Sequence, residues 1–544
     1  MTGDVKQLLQ TSSLESNVRG LFLISCLLMT TTPVFAQAVD ANGANALAAT
    51  LSEYVGKKAI EKNIFAVVPD GDSYRITFST AKLFESLPKQ DYFKGDFGQY
   101  SLLARPLADG SWTISATAVP GGSVEVTAPT GPEAIEWSVD NGKMNGTFDP
   151  KIGTFSEASF SYGSMKMQST GPTQDVEVSA GSAKGAMQGA AAASGGVDFS
   201  SNQSAVDFLE TMTLKSPPAA DDAAAAPQSP MKIVLSSRQI DVNAEGKGFR
   251  NLEFLDLWKF LIAHAQETTL NDQQQADLKT KLLAALPFWD KLSGAYQFSD
   301  LKVETPLGPF TAGNVSQEMD LDGVSKSGGY HYTLRTRGLK YPELPIPEWS
   351  VQFLPADMEI GFGMEGIDLD TLVRAAVADM DLKREKPFSD EFEAKTAAAF
   401  LASPPKVVID KSFVKMADSE ISVEGEVSFA AMKPASQTTW EMSNFDALVN
   451  RLTKASEQEP EIKNYIVFAK LAKDFGTQLP NGHIQWIVDQ KADGSVSVNG
   501  NPVKGPDPMV EPGSDGTLEG DPTQDNNVLV PDDEEDSPGT SPAQ

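Results

Sequence analysis

Apolar and polar residues alternate in short runs along the first part of the chain. They alternate from Tyr74 to Phe78, after a turn at residues 70–72, and again from Trp112 to Ala116. Similar runs separated by Gly, Pro and Asn continue to about residue 215. A period of two with frequent turn residues predicts antiparallel strands with one solvated face. A short helix around Ala46 to Lys58 is predicted before them.

After residue 231 the pattern changes to an alternating strand, two amphipathic helices and a further strand, and this unit occurs three times. In the third copy, Ser443 with Asp446 three residues later predicts a capping box at a helix start. An Asp493-Gly494 turn predicts a closing hairpin. The six helices are predicted at 254–265 and 278–286, at 369–380 and 389–402, and from Ser443 and from Pro460.

The strand after the first helix pair contains a change of phase. Its apolar residues stand at even positions in Tyr296 and Phe298, and at odd positions in Leu301 and Val303. A slip by one residue predicts a β-bulge between the two pairs, because a bulge lets the apolar side chains stay on one face of the sheet.

Together these patterns predict an α+β fold: an extended, largely antiparallel β-sheet with inserted helix pairs in repeated β-α-α-β units, followed by a flexible acidic tail. We predict a mainly β region at 37–215, a linker or loop at 216–230, and a repeated α/β region at 231–503. Repeats of this kind stack along a continuous sheet, so the α/β region is expected to continue the sheet of the first region.

The first 36 residues have the pattern of a secretory signal. A polar leader precedes the apolar run Leu21–Met29, and the small-x-small sequence 34–36 predicts cleavage after Ala36. This run is too short for a hydrocarbon core that needs about twenty residues, so no transmembrane span is expected after cleavage. Residues 23–26 also fit a lipobox ending at Cys26, but the apolar run continues past that cysteine, which disfavours a lipoprotein. We therefore expect a periplasmic protein.

The net charge of the chain limits the classes of partner that it is expected to bind. The chain has 74 acidic and 44 basic residues, a net charge of −30, and this charge argues against binding nucleic acid. Residues 504–544 are rich in Asp, Glu and Pro with Lys504 as their only base, so a disordered acidic tail is predicted. Cys26 is the only cysteine, which leaves the mature chain without disulfides or thiol chemistry.

Metal and nucleotide motifs are missing from the sequence. His264, His331 and His483 are each isolated, and no His or Cys cluster has metal-ligand spacing. No P-loop or glycine fingerprint follows a predicted strand. The sequence therefore predicts neither a metal nor another cofactor.

One serine motif offers a catalytic alternative. Ser79 and Lys82 form a Ser-x-x-Lys, residues 326–328 read Lys-Ser-Gly before a strand, and residues 200–202 read Ser-Ser-Asn. Penicillin-binding enzymes use such elements for acyl transfer, with the lysine activating the serine. A second Ser-x-x-Lys at 412–415 and a proline at 88, soon after the first motif, favour the simpler interpretation that Ser79 caps a helix.

Three features of the sequence are shared with a known family. They are the early Asp-Gly-Asp-Ser-Tyr-Arg-Ile hairpin at 70–76, the helix pairs between strands, and the closing Asp-Gly-Ser-Val-Ser-Val-Asn-Gly hairpin at 493–500. In these features the chain resembles an uncharacterised alphaproteobacterial family of exported proteins, known as a domain of unknown function. The chain is more distantly similar to YdgA-like and AsmA-like envelope proteins. The resemblance covers about residues 37–503 and implies an elongated β structure associated with lipid traffic in the envelope. It implies no functional residues.

The leading hypothesis is a non-enzymatic periplasmic protein that binds or shields a hydrophobic component of the envelope, either a lipid or a polypeptide. Its expected partner is that lipid or another envelope protein. A serine acyl-transfer enzyme using Ser79 and Lys82, and a structural interaction protein with an acidic tail, are the alternatives. If helices leave part of the apolar sheet face open, that part would form the binding surface. The predicted apolar face includes Ile421, Val423, Val427 and Phe429.

Overall fold

The computed structural model describes residues 39–86, 93–117, 121–128, 131–215, 230–265, 267–402, 404–430 and 433–507. The predicted signal with Cys26 and Ala36, nearly all of the predicted linker, and the tail beyond Asp507 lie outside these residues. None of the helices in the described ranges combines the length and the apolar character that crossing a membrane requires.

Nine α-helices and one 3₁₀ helix are present in the described part of the chain. The 3₁₀ helix spans Glu348–Phe353. The α-helices are α1 Ala41–Val55, α2 Lys57–Glu61, α3 Thr80–Ser86, α4 Asn251–His264, α5 Asp272–Ala284, α6 Leu369–Asp379, α7 Asp390–Ala402, α8 Phe445–Ala455 and α9 Ile462–Phe475.

The strands form one hydrogen-bonded sheet of 25 strands in which every pairing is antiparallel. The predicted, largely antiparallel sheet is thereby confirmed. The strands are β1 Phe65–Asp70, β2 Ser73–Ser79, β3 Phe93–Asp96, β4 Gln99–Pro106, β5 Trp112–Ala116, β6 Gly122–Ala128, β7 Gly131–Asp140, β8 Lys143–Asp149, β9 Thr154–Tyr162, β10 Ser164–Thr170, β11 Gln174–Ala180, β12 Ala183–Ala191, β13 Val197–Leu214, β14 Met231–Phe249, β15 Lys291–Thr305, β16 Gly308–Asp322, β17 Gly328–Arg337, β18 Asp357–Ile367, β19 Lys406–Met416, β20 Ser419–Ala430, β21 Lys433–Met442, β22 Thr477–Gln478, β23 Ile484–Gln490, β24 Val496–Val498 and β25 Asn501–Lys504.

The sheet is a meander in which consecutive long strands lie side by side. From β12 onward the order is β12, β13, β14, β15, β16, β17, β18, β19, β20, β21, β23. The residues on either side of the predicted linker meet in this sheet, because β13 pairs with β14 along its length. β11 and β12 lie end to end, and both pair with the other edge of β13. In the next layer outward β10 pairs with β11 and β9 pairs with β12. Beyond these, β7 pairs with β10 and β8 pairs with β9.

A line of residues with left-handed backbone crosses this meander, and we call it the crease. Asn141, Asp207 and Asp300 have φ angles of 53°, 54° and 52°, in the left-handed region, and Gly338 has 66°. Asp207 and Asp300 stand inside β13 and β15, yet both strands keep the same register with β14 on either side of them. The predicted bulge near Asp300 was therefore wrong: the apolar residues change phase at a left-handed residue and no extra residue is inserted.

The fully buried core lies at the N-terminal end of the sheet. One face of α1 packs against one face of the strands β2, β4, β5, β8 and β9, and α4 adds one side chain to the cluster. We call this side of the sheet the helix face. The buried residues are Ala44, Leu47, Leu51, Tyr54, Tyr74, Ile76, Ala104, Trp112, Ile114, Phe148, Phe155 and Leu255.

Three helix pairs lie between strands along the described part of the chain. The pairs α4–α5 and α6–α7 follow β14 and β18 at the same end of the sheet, whereas α8–α9 follows β21 at the opposite end. The difference arises because β21, which the sequence did not predict, forms a hairpin with β20 before the third pair begins.

The start of the third helix pair differs from the predicted capping box. Asn444 precedes α8 with a left-handed φ of 49°, and no side chain caps the helix. Ser443 Oγ accepts a hydrogen bond from the backbone N–H of Glu420 at 3.0 Å. The serine hydroxyl therefore ties the helix start to β20, and Phe445 packs with Met442 and Ile484 in a second core cluster on the helix face.

Candidate functional site

A row of directly opposed residues crosses the helix face from β2 to β18. Opposed residues of an antiparallel pair lie on the same face, so the register defines this row without ambiguity. None of its residues is charged. The members are Tyr74, Ala104, Ile114, Gly146, Ala158, Met187, Ser201, Ala244, Gly294, Met319, Tyr332 and Phe362.

Burial decreases along the row. Tyr74 and Ile114 are 2% and 0% exposed beneath α1, whereas Met319 and Phe362 at the other end are 45% and 47% exposed. Ile360, two residues before Phe362 on the same face of β18, is 43% exposed. Helices therefore cover the helix face at β2 to β9 and leave apolar side chains open at β16 to β18.

The middle of the row contains open space. A Cβ atom built on Gly294 would meet no atom within 4 Å. By contrast, the ring of Phe199 lies over Gly246 and the ring of Phe160 lies over Gly185, where a Cβ would come within 2.1 and 2.3 Å of those rings. Gly294 is thus an unfilled position on the sheet, beside Met319.

We define the open apolar surface as a set of helix-face residues that extends from this position on β15 to β18. The rings of Tyr332 and Phe362 lie 5.5 Å apart within it. Among the described residues of β14 to β20, Ala312 is the only buried apolar one, so this part of the sheet has no closed core. The members of the surface are Gly294, Met319, Tyr332, Ile360, Phe362 and Met364.

The opposite face of the same strands is charged. Arg335 Nε lies 3.0 Å from Glu359 Oε1, and Arg337 binds the other oxygen of that carboxylate at 3.0 Å. Lys291 contacts Asp320 at 3.2 Å. Antiparallel strands commonly have a polar face toward water and an apolar face on the other side. The ion pairs mark the polar face of these strands, and the open apolar surface lies on the opposite face.

His331 belongs to this charged face. Its Nδ1 lies 3.0 Å from Asp410 Oδ2 and its Nε2 lies 3.4 Å from Glu365 Oε1. The hydrogen bond with Asp410 raises the pKa of His331 against the opposing effect of partial burial, and the negative charges of Asp410, Glu365 and Asp320 raise it further. The protonated imidazolium therefore joins β17, β18 and β19.

This raised pKa predicts a pH-dependent contribution to stability. The stabilisation that the charged His331 contributes is complete below the unfolded pKa of about 6.5. This stabilisation is lost as the pH rises through the higher pKa of the folded state. The difference in free energy of unfolding between wild type and His331→Gln should therefore be larger near pH 5.5 than near pH 8.5. Denaturant titrations at both pH values measure it. Thr333→Val, on the same strand face, should show no such pH dependence, and an equal difference at both pH values would contradict the assignment.

The four predicted apolar-face residues of β20 do lie on the helix face. Ile421 is opposite Met442, Val423 is opposite Trp440, and all four are half-buried. Val427 pairs with Val407, which in turn pairs with Met364 of the open apolar surface. The predicted residues are therefore the continuation of that surface toward the second core cluster.

Ser79 and Lys82 have the geometry of a helix cap. Ser79 ends β2, and its Oγ accepts a hydrogen bond from the backbone N–H of Lys82 at 3.4 Å, while the lysine side chain is exposed. Lys326 and Ser327 precede β17 and Gly328 begins it. The strands β4, β5, β8, β9, β12, β13, β14, β15 and β16 lie between β2 and β17. The structure does not bring the two motifs together.

Each of the three histidines contacts a different set of acidic residues. His264 contacts Glu267 at 2.7 Å and His483 contacts Glu441 at 2.5 Å. Within the described ranges, no three His, Cys, Asp or Glu side chains are grouped as metal ligands would be.

Comparison with protein-family models, with curated proteins and with solved structures finds no match to this chain. A proposal for the function of this chain therefore rests on the geometry of its own structure. In the sequence, Ile360 and Phe362 of β18 alternate with glycines. No such local pattern marks Gly294, Met319 and Tyr332 as site residues, because only the pairing of β15, β16 and β17 places them beside β18.

Proposed function

We propose that this chain is a non-enzymatic protein of the periplasm that holds an acyl chain of an envelope lipid on the open apolar surface. The observation that carries the proposal is the exposure of Met319, Ile360 and Phe362 on one face of β16 to β18, next to the empty position at Gly294 on β15. Contiguous exposed apolar side chains are rare on monomeric soluble proteins and mark interaction sites.

The dimensions of the surface support a lipid chain. From Ala244 on β14 to Phe362 on β18 the row crosses four strand spacings, about 19 Å at roughly 4.8 Å each. One leaflet of a bilayer has acyl chains about 15 Å deep, half of a hydrocarbon core of about 30 Å. An acyl chain lying across the strands would therefore fit along this part of the row.

The chemistry of the surface also favours an acyl chain over an extended polypeptide. A bound peptide in the middle of a sheet face would bury its N–H and C=O groups against apolar side chains, and unpaired backbone groups are costly to bury. A hydrocarbon has no such groups. Its burial releases about 25 cal/mol for each Å² of apolar surface removed from water.

The finer architecture enters the same proposal. We interpret the stretches that contain α4–α5 and α6–α7 as copies of one repeated β-α-α-β unit, since both pairs leave the sheet at the same end. The third pair belongs to this unit with one added strand, β21. An elongated sheet of this kind agrees with the resemblance to AsmA-like envelope proteins, and we propose that relationship together with an acidic tail beyond Asp507.

The test fills the empty position. A Cβ at position 294 would meet no atom within 4 Å, so Gly294→Phe should fold, extend a ring over the open apolar surface and lose the bound lipid. The measurement is mass spectrometry of organic extracts from the purified protein, with lipid quantified per mole of chain. We expect Gly294→Ala to retain most of the lipid and Gly294→Phe to lose about tenfold, because the larger side chain occupies the volume of the ligand.

A charge placed at the edge of the surface provides a second variant. Phe362→Asp should also release the lipid, since an ionised carboxylate next to a hydrocarbon must be desolvated. Leu307→Asp is the matched control, because Leu307 is 57% exposed in the turn between β15 and β16, away from the surface. Extracts free of lipid from wild type, or equal lipid in all four variants, would contradict the proposed function.

A further inference from the structure

Helix α9 presents a second apolar surface at the end of the sheet where α8–α9 is inserted. Tyr465, Val467, Phe468 and Leu471 are 65%, 64%, 67% and 53% exposed. They are the most exposed group of large apolar side chains on any one described helix. We call these four side chains the α9 stripe.

The stripe is held in place by the other side of the same helix. Ile462 and Ile466 are buried, and Ala469 packs against the second core cluster. Trp486 Nε1 donates a hydrogen bond to the carbonyl of Ala472 at 2.6 Å. Lys473 Nζ also contacts Asp446 of α8 at 2.5 Å. The core-facing side of α9 is thus fixed, and the stripe points away from the rest of the chain.

The charges of α9 differ from those of the chain. The helix has Lys463, Lys470 and Lys473 against Asp474 as its one acid, whereas the whole chain has a net charge of −30. Lys463 and Lys470 are exposed beside the stripe, and neither has an ion-pair partner among the described residues. A helix with an apolar face and a lysine-bearing flank is typical of helices that lie in the interface of a membrane.

We infer that α9 docks this protein on the surface of a phospholipid bilayer that contains anionic lipid. Tyr465, Phe468 and Leu471 would enter the boundary between headgroups and acyl chains. The ammonium groups of Lys463 and Lys470 would remain at the headgroups, where long basic side chains extend toward the polar layer.

Charge complementarity favours a bilayer over a second copy of the chain. Two copies meeting through the stripe would bring two sets of these lysines together without an anionic partner for either. A bilayer instead provides phosphate groups for the lysines and hydrocarbon for the stripe. Repulsion from the rest of the chain is screened beyond about 8 Å at physiological ionic strength, so contacts at α9 itself decide the outcome.

The test is sedimentation of the full-length purified chain with vesicles of phosphatidylcholine, with and without phosphatidylglycerol. We expect wild type to bind both and to bind the mixed vesicles more tightly. The double variant Phe468→Asp and Leu471→Asp should weaken binding to both kinds of vesicle by about tenfold or more. These two positions would then no longer transfer apolar surface from water into the bilayer. Lys463→Glu combined with Lys470→Glu should remove the preference for the mixed vesicles.

Phe400→Asp is the matched control. Phe400 is 47% exposed on α7, whose first turn contains Asp390, Glu391 and Glu393, and this variant should bind vesicles like wild type. Equal vesicle binding by wild type and the α9 variants, or no binding by wild type, overturns the inference. So does a dimer that Phe468→Asp separates without changing vesicle binding. The α9 variants should retain lipid in their organic extracts, so failure of this inference and failure of the proposed function give different results.

Discussion

Replacing Phe148 with alanine should lower the free energy of unfolding by about 3–5 kcal/mol, the range observed for large aromatic residues in packed cores. Phe148 is 0% exposed, and its ring meets that of Phe155 edge to face at 5.7 Å between centroids. Leu51 of α1 and Ile114 of β5 belong to the same closed cluster, so the vacated volume cannot be filled by water. Urea or guanidinium unfolding followed by circular dichroism measures the loss as a lower midpoint.

Phe362→Ala is the matched comparison on the same face of the sheet. Phe362 is 47% exposed, so its removal should cost less than about 1 kcal/mol in the absence of ligand. The contrast between the two phenylalanines tests the division of the helix face into a covered core and an open surface. Similar losses for Phe148→Ala and Phe362→Ala would show that β18 is packed as tightly as β8, which would refute the open surface.

Local pattern was sufficient for elements whose apolar residues alternate or recur at helical spacing. Residues 73–79 and 484–490 form the expected strands, and the first two helix pairs lie where their stripes predict. β21 escaped prediction for a physical reason. Ser436 and Thr438 occupy positions on the helix face with polar side chains, so residues 433–442 lack the apolar alternation that marks a strand.

Candidate sites depended on contacts that no local pattern contains. Gly294 looks like any glycine in a strand. Its open space depends on its neighbours Ala244 and Met319 across the sheet, and a Cβ built there meets no atom within 4 Å. The α9 stripe has a similar origin. Ile462 and Ile466 are buried while Tyr465 and Phe468 are exposed, and a helix that is apolar on most sides does not reveal which side meets the core.

The crease depends on residues that tolerate a left-handed backbone. Replacing one of them should therefore have the second large effect on the free energy of unfolding. Asp300 has φ of 52°, and aspartate and asparagine enter this region more readily than other residues with a Cβ. Asp300→Val should lower the free energy of unfolding by about 2 kcal/mol, because a β-branched side chain clashes with its own backbone there. Thermal and denaturant unfolding provide the measurement.

Asp300→Gly separates the backbone effect from the loss of the side chain. Both variants remove the ion pair with Arg238 Nε at 2.6 Å, whose side chains are 60% and 65% exposed, and such exposed pairs contribute less than about 1 kcal/mol. Glycine accepts positive φ without strain, so Asp300→Gly should be nearly as stable as wild type. Equal destabilisation by valine and glycine would assign the effect to the ion pair. A selective loss with valine would instead show that the left-handed residue itself keeps Phe298 and Leu301, at even and odd positions, on one apolar face of β15.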